Sequence, residues 1–461
     1  MKKSLIFAAF KTGVNRYFVP ERSLKSSVTA LLAPICIFLV MFLPKSSISQ
    51  DTLVILEDFG SVNAGKYFYY HWEDRFLPFE SGSADWKKMT GNSYRSDRDK
   101  VIYFFTILKN DGSSDRALKL FLNNAQIGTA VLYLARHGRI DSVAITGSLV
   151  ATKNRASKDR LMSFPIRISS GETFGIYIKM LKNRNNITVI PVLSDPSRTD
   201  PYLWPDHLIV ITLAAILLIM LAGIVALFYV PASETWSFLS FIFFGFWYVM
   251  AASGFGSLYC WSAFPWFEEN AVVFFAAATT IPFLEFSRKI IRGKKLYARF
   301  NAFLIAFNIA YMCLALTGFF NQIVSAFSGS YSWLLTIPYG ILLVCLIILL
   351  EISFYNTFVK KQSRFWWFTM TLLFYAGFTV FTILFELTYI ADSPNRHVIL
   401  IACSVLPQMM FMLVFVTNRI IGFINHKNNE MAKIRLLEQN EFFEERPGIE
   451  RKLQDSSKDI Q

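Results

Sequence analysis

At 461 residues the chain has room for more than one folded unit, and 54% of it is apolar, with 46 phenylalanines and a mean hydropathy of +0.39. Soluble domains average about 45–50% apolar residues, so the excess here needs a dry place to sit. The net charge of +13 does not point to nucleic acid, because many of the basic residues flank apolar runs instead of gathering in one patch.

In chain order, Lys2, Lys3, Lys11, Arg16, Arg22 and Lys25 precede an apolar run at 28–43. A basic region followed by an apolar run slightly short for a membrane span is the pattern of a secretory leader. Ser46, Ser47 and Ser49 offer a small-residue cleavage site near Ser49–Gln50, and a retained signal anchor is the alternative. Under either reading residues 1–49 deliver residues 51–205 to the outside. All five cysteines (Cys36, Cys260, Cys313, Cys345 and Cys403) fall in or beside apolar segments, so the external part is not a disulfide-stapled module.

Residues 51–205 read as mostly β. The run 101–108 (VIYFFTIL) is rich in β-branched and aromatic residues and ends at the turn Asn110-Asp111-Gly112. Leu118, Leu120 and Leu122 alternate with Lys119 and Phe121, and a further run spans 129–135. Phe164, Ile166 and Ile168 alternate with Pro165 and Arg167. Ser169-Ser170-Gly171 then turns the chain into Ile176, Ile178 and Met180, and a single last strand is expected over 187–193. Short period-2 strands with regular turns predict an antiparallel sandwich. On it, Tyr69, Tyr70, Trp72 and Trp86 with Glu73 and Asp74 offer aromatic faces and carboxylates suited to a carbohydrate or amine ligand. The alternative for the same residues is core and loop packing.

Seven apolar stretches follow, at 208–230, 236–253, 271–286, 302–320, 333–355, 365–387 and 398–416. A transmembrane helix needs about 20 apolar residues to cross roughly 30 Å of hydrocarbon. The expected organisation is a seven-helix domain over 206–420 with a short cytoplasmic helical tail over 421–461. Orientation follows from charge. Arg288, Lys289, Arg292, Lys294, Lys295 and Arg299 follow the third stretch, Lys360, Lys361 and Arg364 follow the fifth, and Arg419, His426 and Lys427 follow the seventh. The second–third loop carries only Glu268 and Glu269, and the loop over 321–331 has no charge. Basic loops face the cytoplasm, which leaves the β-rich part outside and the C-terminus inside. Inside the membrane, Glu386 (near Arg396 and His397) and Gln408 beside Pro407 are the polar suspects. Glu285 is expected to pair with Arg288 or Lys289. The tail is expected to stay helical through Ile424, Met431, Ile434 and Leu437 to Phe443, where Pro447-Gly448 stops it.

Several segments resemble bacterial seven-transmembrane receptors with diverse intracellular signalling modules (the 7TMR-DISM family). They are Tyr69-Tyr70-His71-Trp72-Glu73-Asp74, Tyr103-Phe104-Phe105-Thr106-Ile107-Leu108, the hairpin Phe164–Ile168 with Gly171 and Gly175–Ile178, and Gly254-Phe255-Gly256-Ser257-Leu258-Tyr259. The resemblance covers about 55–425 and implies a jelly-roll-like, carbohydrate-binding-like external domain ahead of the helices. That family usually continues into a kinase, cyclase or phosphatase module. Here only 45 residues follow Val416, so signal output is expected through a cytoplasmic signalling protein in trans. The chain is expected to be a bacterial inner-membrane receptor that meets membrane lipid and a small-molecule or carbohydrate ligand. No catalytic residue, metal site, cofactor or nucleic-acid partner is expected, and homodimerisation stays open. A membrane transporter and a structural envelope protein are the alternatives.

Overall fold

The structure, a computed structural model, describes residues 52–72, 85–96, 101–125, 127–136, 139–181, 187–198, 200–229, 233–291, 298–317, 332–361, 365–387 and 396–458. The expected leader at 1–49 and the predicted ligand residues Glu73 and Asp74 lie outside the described residues, as does the side chain of Glu386.

The N-terminal part is a β-sheet region. Its strands are β1 (Thr52–Ile55), β2 (Ser61–Asn63), β3 (Tyr69–Trp72), β4 (Lys87–Lys88), β5 (Tyr94–Ser96), β6 (Ile102–Asn110), β7 (Arg116–Phe121), β8 (Thr129–Arg136), β9 (Arg139–Thr146), β10 (Ser163–Ile168), β11 (Thr173–Leu181), β12 (Ile187–Val189) and β13 (Val192–Ser194). The large sheet runs β4-β3-β6-β11-β8-β9, with β1 added on β6. A second sheet runs β10-β7-β13-β2, and β12 pairs with β5. Every pairing is antiparallel except β1 with β6.

Period-2 alternation places the core. Phe164, Ile166 and Ile168 of β10 point inward while Pro165 and Arg167 stay exposed. They meet Leu118 and Leu120 of β7, Ile102, Phe104 and Leu108 of β6, and Ile176 and Ile178 of β11 in one buried cluster. The central strand β6 is apolar on both faces, because Tyr103 and Phe105 pack with Trp86 and Tyr177 on the opposite side of the sheet.

One expectation fails here. The single strand expected over 187–193 is two short strands in different sheets. Pro191 lies between them and has no N–H to donate to a ladder. Its carbonyl instead accepts the N–H of Ala64 at 2.7 Å.

Seven helices follow among the described residues: α1 (Leu203–Tyr229), α2 (Ser233–Ser253), α3 (Pro265–Ile291), α4 (Ala298–Thr317), α5 (Ser332–Phe354), α6 (Phe365–Leu387) and α7 (Arg396–Lys458). Each of the seven apolar stretches overlaps one of them over its described residues. Five helical segments are long and apolar enough to cross a membrane: Leu203–Phe228, Ser233–Ser253, Asn270–Ile290, Pro338–Val359 and Val405–Leu437. The described apolar segments of α4 and α6, Ala298–Leu314 and Phe365–Val380, are shorter. Leu218 is 69% exposed and Phe228 84% exposed on α1, a surface that suits hydrocarbon and not water. The helices share a core of their own, which includes Phe241, Phe283, Leu346, Leu372 and Met412.

Two further expectations are corrected. Glu268 and Glu269 are not in a loop; they lie in the first turns of α3, which starts at Pro265. Proline suits the first position of a helix, where its missing N–H leaves no bond unmade. Pro447-Gly448 does not end the tail helix, since α7 runs unbroken to Lys458. One proline removes one hydrogen bond, at a cost of about 3 kcal/mol. The flanking Glu444, Glu445, Arg446, Glu450, Arg451, Lys452 and Leu453 all favour helix.

Because the sheets have a core separate from that of the helices, residues 52–202 expressed alone are expected to give a β-type circular dichroism spectrum and a cooperative melt. Phe164, fully buried between the sheets, is expected to cost about 3–5 kcal/mol on Phe164→Ala in urea unfolding of that fragment. A helical or non-cooperative fragment would refute the independence of the core.

Candidate functional site

The large sheet separates the predicted aromatic ligand surface into two groups. Tyr70 and Trp72 face the sandwich core, where Tyr70 packs on Trp72 and Tyr94 at centroid distances of 5.1 and 4.6 Å. Tyr69 and Trp86 lie on the other face with Tyr103, Phe105 and Tyr177. His71 is buried there, with its ring 5.0 Å from Trp86 and 5.5 Å from Tyr103, and its Nε2 has no partner among the described residues. Trp86 is 7% exposed, so most of its ring is packed.

A second site, which composition and periodicity do not mark, forms where the β-sheet region meets the helices. Four residues of the β-sheet region and its loops make it: Ala125, Thr152, Arg155 and Arg160. The other side is the start of α1, the end of α2, the π-helical turn Gly256–Cys260 and the start of α3. Arg160 is the central tie. Its Nε donates to Asp206 Oδ1 of α1 at 2.7 Å, and its Nη1 donates to the carbonyl of Ser253, the last residue of α2, at 2.6 Å. Its guanidinium also lies 5.7 Å from the Phe255 ring centroid. Thr152 adds two bonds, from Oγ1 to Ser257 O at 3.1 Å and from its N–H to Ser262 O at 3.4 Å.

Local sequence explains how the helix side is shaped. Gly254 has φ +86°, a left-handed conformation that lets the chain leave α2 sharply. A Cβ on it would sit 2.6 Å from the Ala125 Cβ, so the close approach of the two layers also needs glycine. At Gly256 a Cβ would overlap the Trp261 ring. The bare backbone there lets Trp261 lie against the turn and aim its indole N–H at Glu268, to which Nε1 donates through Oε2.

Glu268 is 2% exposed and lies just before the candidate span Asn270–Ile290. Burial pushes its carboxyl up to about 8, against the opposing pull of the Trp261 hydrogen bond and the Arg155 charge. Burial likewise lowers the Arg155 guanidinium, and Glu268 opposes that. Arg155 Nε donates to Val150 O at 2.9 Å, while Arg155 Nη1 and Glu268 Oε1 have no hydrogen-bond partner among the described residues. The β-sheet region and α3 thus each bring one buried ionisable group to the junction, Arg155 and Glu268.

Beside Arg160 lies a cavity of about 230 Å³. Its apolar wall includes Phe121, Leu161, Phe255 and Leu258; its polar wall includes Lys119, Lys158, Asp159, Arg160, Asp200, Tyr202 and Asp206. Lys119 Nζ donates to both oxygens of Asp159 at 3.0 Å. Burial would raise the Asp159 carboxyl, but hydrogen bonds from Ser163, Ser157 and Lys119 hold it below its usual value. Tyr202 is 3% exposed, its hydroxyl has no partner among the described residues, and burial holds its proton on well above the usual range.

Within the helices, Gln408 is 1% exposed and its Nε2 has no partner among the described residues. It lines a cavity of about 30 Å³ with Tyr248, Thr280 and Tyr375, and the last two share a 2.8 Å hydrogen bond. The predicted pairing of Glu285 is present, with Arg288 Nε at 2.6 Å.

No protein-family model and no curated protein matches the chain in comparison.

The Glu268 carboxyl dictates a pH dependence. In the fold it keeps its proton up to about pH 8, whereas a solvated glutamate loses it around its ordinary value of 4.5. The folded junction therefore binds the proton more tightly, and stability is expected to fall as pH rises from 4.5 to about 8, then level off. Glu268→Gln keeps an acceptor for Trp261 and cannot titrate. Its melting temperature, measured across that range in detergent, is expected to decline less steeply than that of the parent. Parallel curves for the two proteins would remove Glu268 from the account.

Proposed function

We propose that the chain is a bacterial inner-membrane receptor in which an external, jelly-roll-like β-sandwich senses a small ligand and seven membrane-spanning helices carry the change to a cytoplasmic partner. The observation that carries this reading is the junction. Arg160 and Thr152 fasten the β-sheet region to the outer ends of α1 and α2 and to the turn before α3. From the same helical layer α7 continues as one helix to Lys458, and its residues from Ile421 to Leu437 are exposed. A continuous helix, about 95 Å long at 1.5 Å per residue, is a natural way to carry a displacement out of a bundle. The resemblance to 7TMR-DISM receptors in segment order, and the basic loops after α3 and α5, support the orientation. The reading assigns no catalytic step to the chain; output passes by contact. A transporter would use the cavity beside Gln408, but that space, about 30 Å³ and mostly apolar in its lining, holds only a few waters at about 10–15 Å³ each.

Two measurements test the proposal. With a membrane-impermeant maleimide on intact spheroplasts, Asp111→Cys is expected to label and Lys433→Cys to label only after permeabilisation; the reverse pattern would overturn the topology. Ile434→Pro should kink and destabilise the exposed part of α7, at a cost of about 3 kcal/mol, while membrane insertion is kept. With a photocrosslinking residue at Leu437, the parent is expected to form a discrete adduct with a cytoplasmic protein and the proline variant to lose it. An unchanged adduct, or none in the parent, argues against output through α7.

A further inference from the structure

We propose that the cavity beside Arg160 binds a small zwitterion, with a primary ammonium at Asp200, an oxyanion at Lys158 and the Tyr202 hydroxyl, and an apolar group against Phe121 and Leu161. The proposal rests on taking the junction as the site of input and names the ligand class that would act there.

The charges around the cavity carry the inference. Arg160 is committed to Asp206, and Lys119 to Asp159, so these four cancel in pairs. That leaves Lys158 and Asp200, both exposed, and neither has an ion-pair partner among the described residues. One Asp200 oxygen accepts the Tyr202 N–H at 2.9 Å, and its second oxygen has no such bond among the described residues. A ligand with a single charge would satisfy one of these groups and meet the other as a like charge. A zwitterion satisfies both.

Tyr202 points the same way. Its hydroxyl is buried, has no hydrogen-bond partner among the described residues and lies within electrostatic reach of Arg160, Asp200 and Asp206. A buried hydroxyl is normally hydrogen-bonded, and an oxyanion at the cavity would accept a hydrogen bond from it. At about 230 Å³ the space far exceeds one water, which needs about 10–15 Å³ on the same measure. Residues of both layers line it: Asp159 and Tyr202 on one side, Asp206 and Phe255 on the other. An occupant therefore contacts both sides of the junction and stabilises one arrangement of them.

The same ammonium-plus-oxyanion chemistry exists in a free amino acid and in a phosphatidylethanolamine headgroup, since α1 begins beside the cavity. The test uses the full chain in phosphatidylcholine nanodiscs, whose quaternary headgroup has no N–H to donate. L-leucine is titrated as the probe, with leucinamide (no carboxylate) and 4-methylpentanoate (no ammonium) as controls, and the melting temperature is read. Leucine is expected to raise the melting temperature in a saturable way, and each control to bind at least about tenfold more weakly. Asp200→Asn, which keeps the acceptor for the Tyr202 N–H, and Lys158→Gln are each expected to abolish the leucine effect. If leucine does nothing but phosphatidylethanolamine nanodiscs raise the melting temperature, and both substitutions remove that rise, the zwitterion is the lipid headgroup and the proposal stands. It is overturned if neither source stabilises the protein, if the single-charge controls match leucine, or if both variants respond like the parent. Because the readout is binding, it does not depend on whether α7 contacts a partner.

Discussion

The Arg160 guanidinium holds the two halves of this molecule in register. It is 5% exposed and reaches Asp206 at the head of α1 and the Ser253 carbonyl at the tail of α2. Both acceptors belong to helix ends, where backbone and side-chain groups are left over by the helical pattern itself. A carbonyl at the end of α2 has no intrahelical donor, and the positive charge of arginine is favoured at a helix C-terminus. The β-sheet region therefore does more than rest on the helices; it completes hydrogen bonds that the helices cannot make alone. The left-handed turn at Gly254 follows from this contact, because only a residue without Cβ lets Ala125 and Arg160 come so near.

What could be read from the sequence depended on whether its signal was local. The strands β7, β8, β10 and β11 show in the chain because alternation over six to nine residues reflects one buried face, and β6 shows as an unbroken run of β-branched and aromatic residues buried on both faces. The short strands β2 to β5 give no such pattern, and their placement depends on partners far along the chain: β3 pairs with β6, and β5 with β12. β9 carries Arg139, Asp141 and Ser142 at an edge of the sheet and reads as polar. Pro191 shows the converse case, a visible local breaker whose effect on a predicted strand went unused. Helices are the most legible part, because hydrocarbon demands long apolar segments that satisfy their own backbone bonds.

The junction was illegible for a physical reason. Arg160 meets partners 46 and 93 positions away, and Thr152 meets one 105 positions away. An arginine in a loop reads as solvated until the fold buries it. Only the segment Gly254–Tyr259 is marked in the sequence, through resemblance and not through chemistry, and it forms part of the helix side of this site. Glu268 was hidden by a boundary error. As a loop residue it counts as a surface charge, whereas in the first turns of α3, under Trp261, it is a buried acid.

The packing order of the helices decides where a change at the junction can go. Asp206, the acceptor of Arg160, is on α1, and Ser253 is on α2. Both of these helices pack against α7 as well as against each other. A shift that weakens one Arg160 bond relative to the other alters the pull on α1 against that on α2, and α7 lies along both. Such a shift has consequences only if an occupant of the junction has different affinity for two packed arrangements; equal affinity moves nothing. Close-packed aromatic contacts, such as Phe283 stacked on Tyr375 at 4.2 Å, favour discrete arrangements over gradual deformation. The buried amide of Gln408 sits on α7 among them, beside Pro407. A missing hydrogen bond at Pro407 beside the Gln408 Nε2, which has no partner among the described residues, makes this the weakest point of that helix inside the bundle. Any displacement passed from α1 and α2 would be taken up there first, before it reached the exposed length of α7.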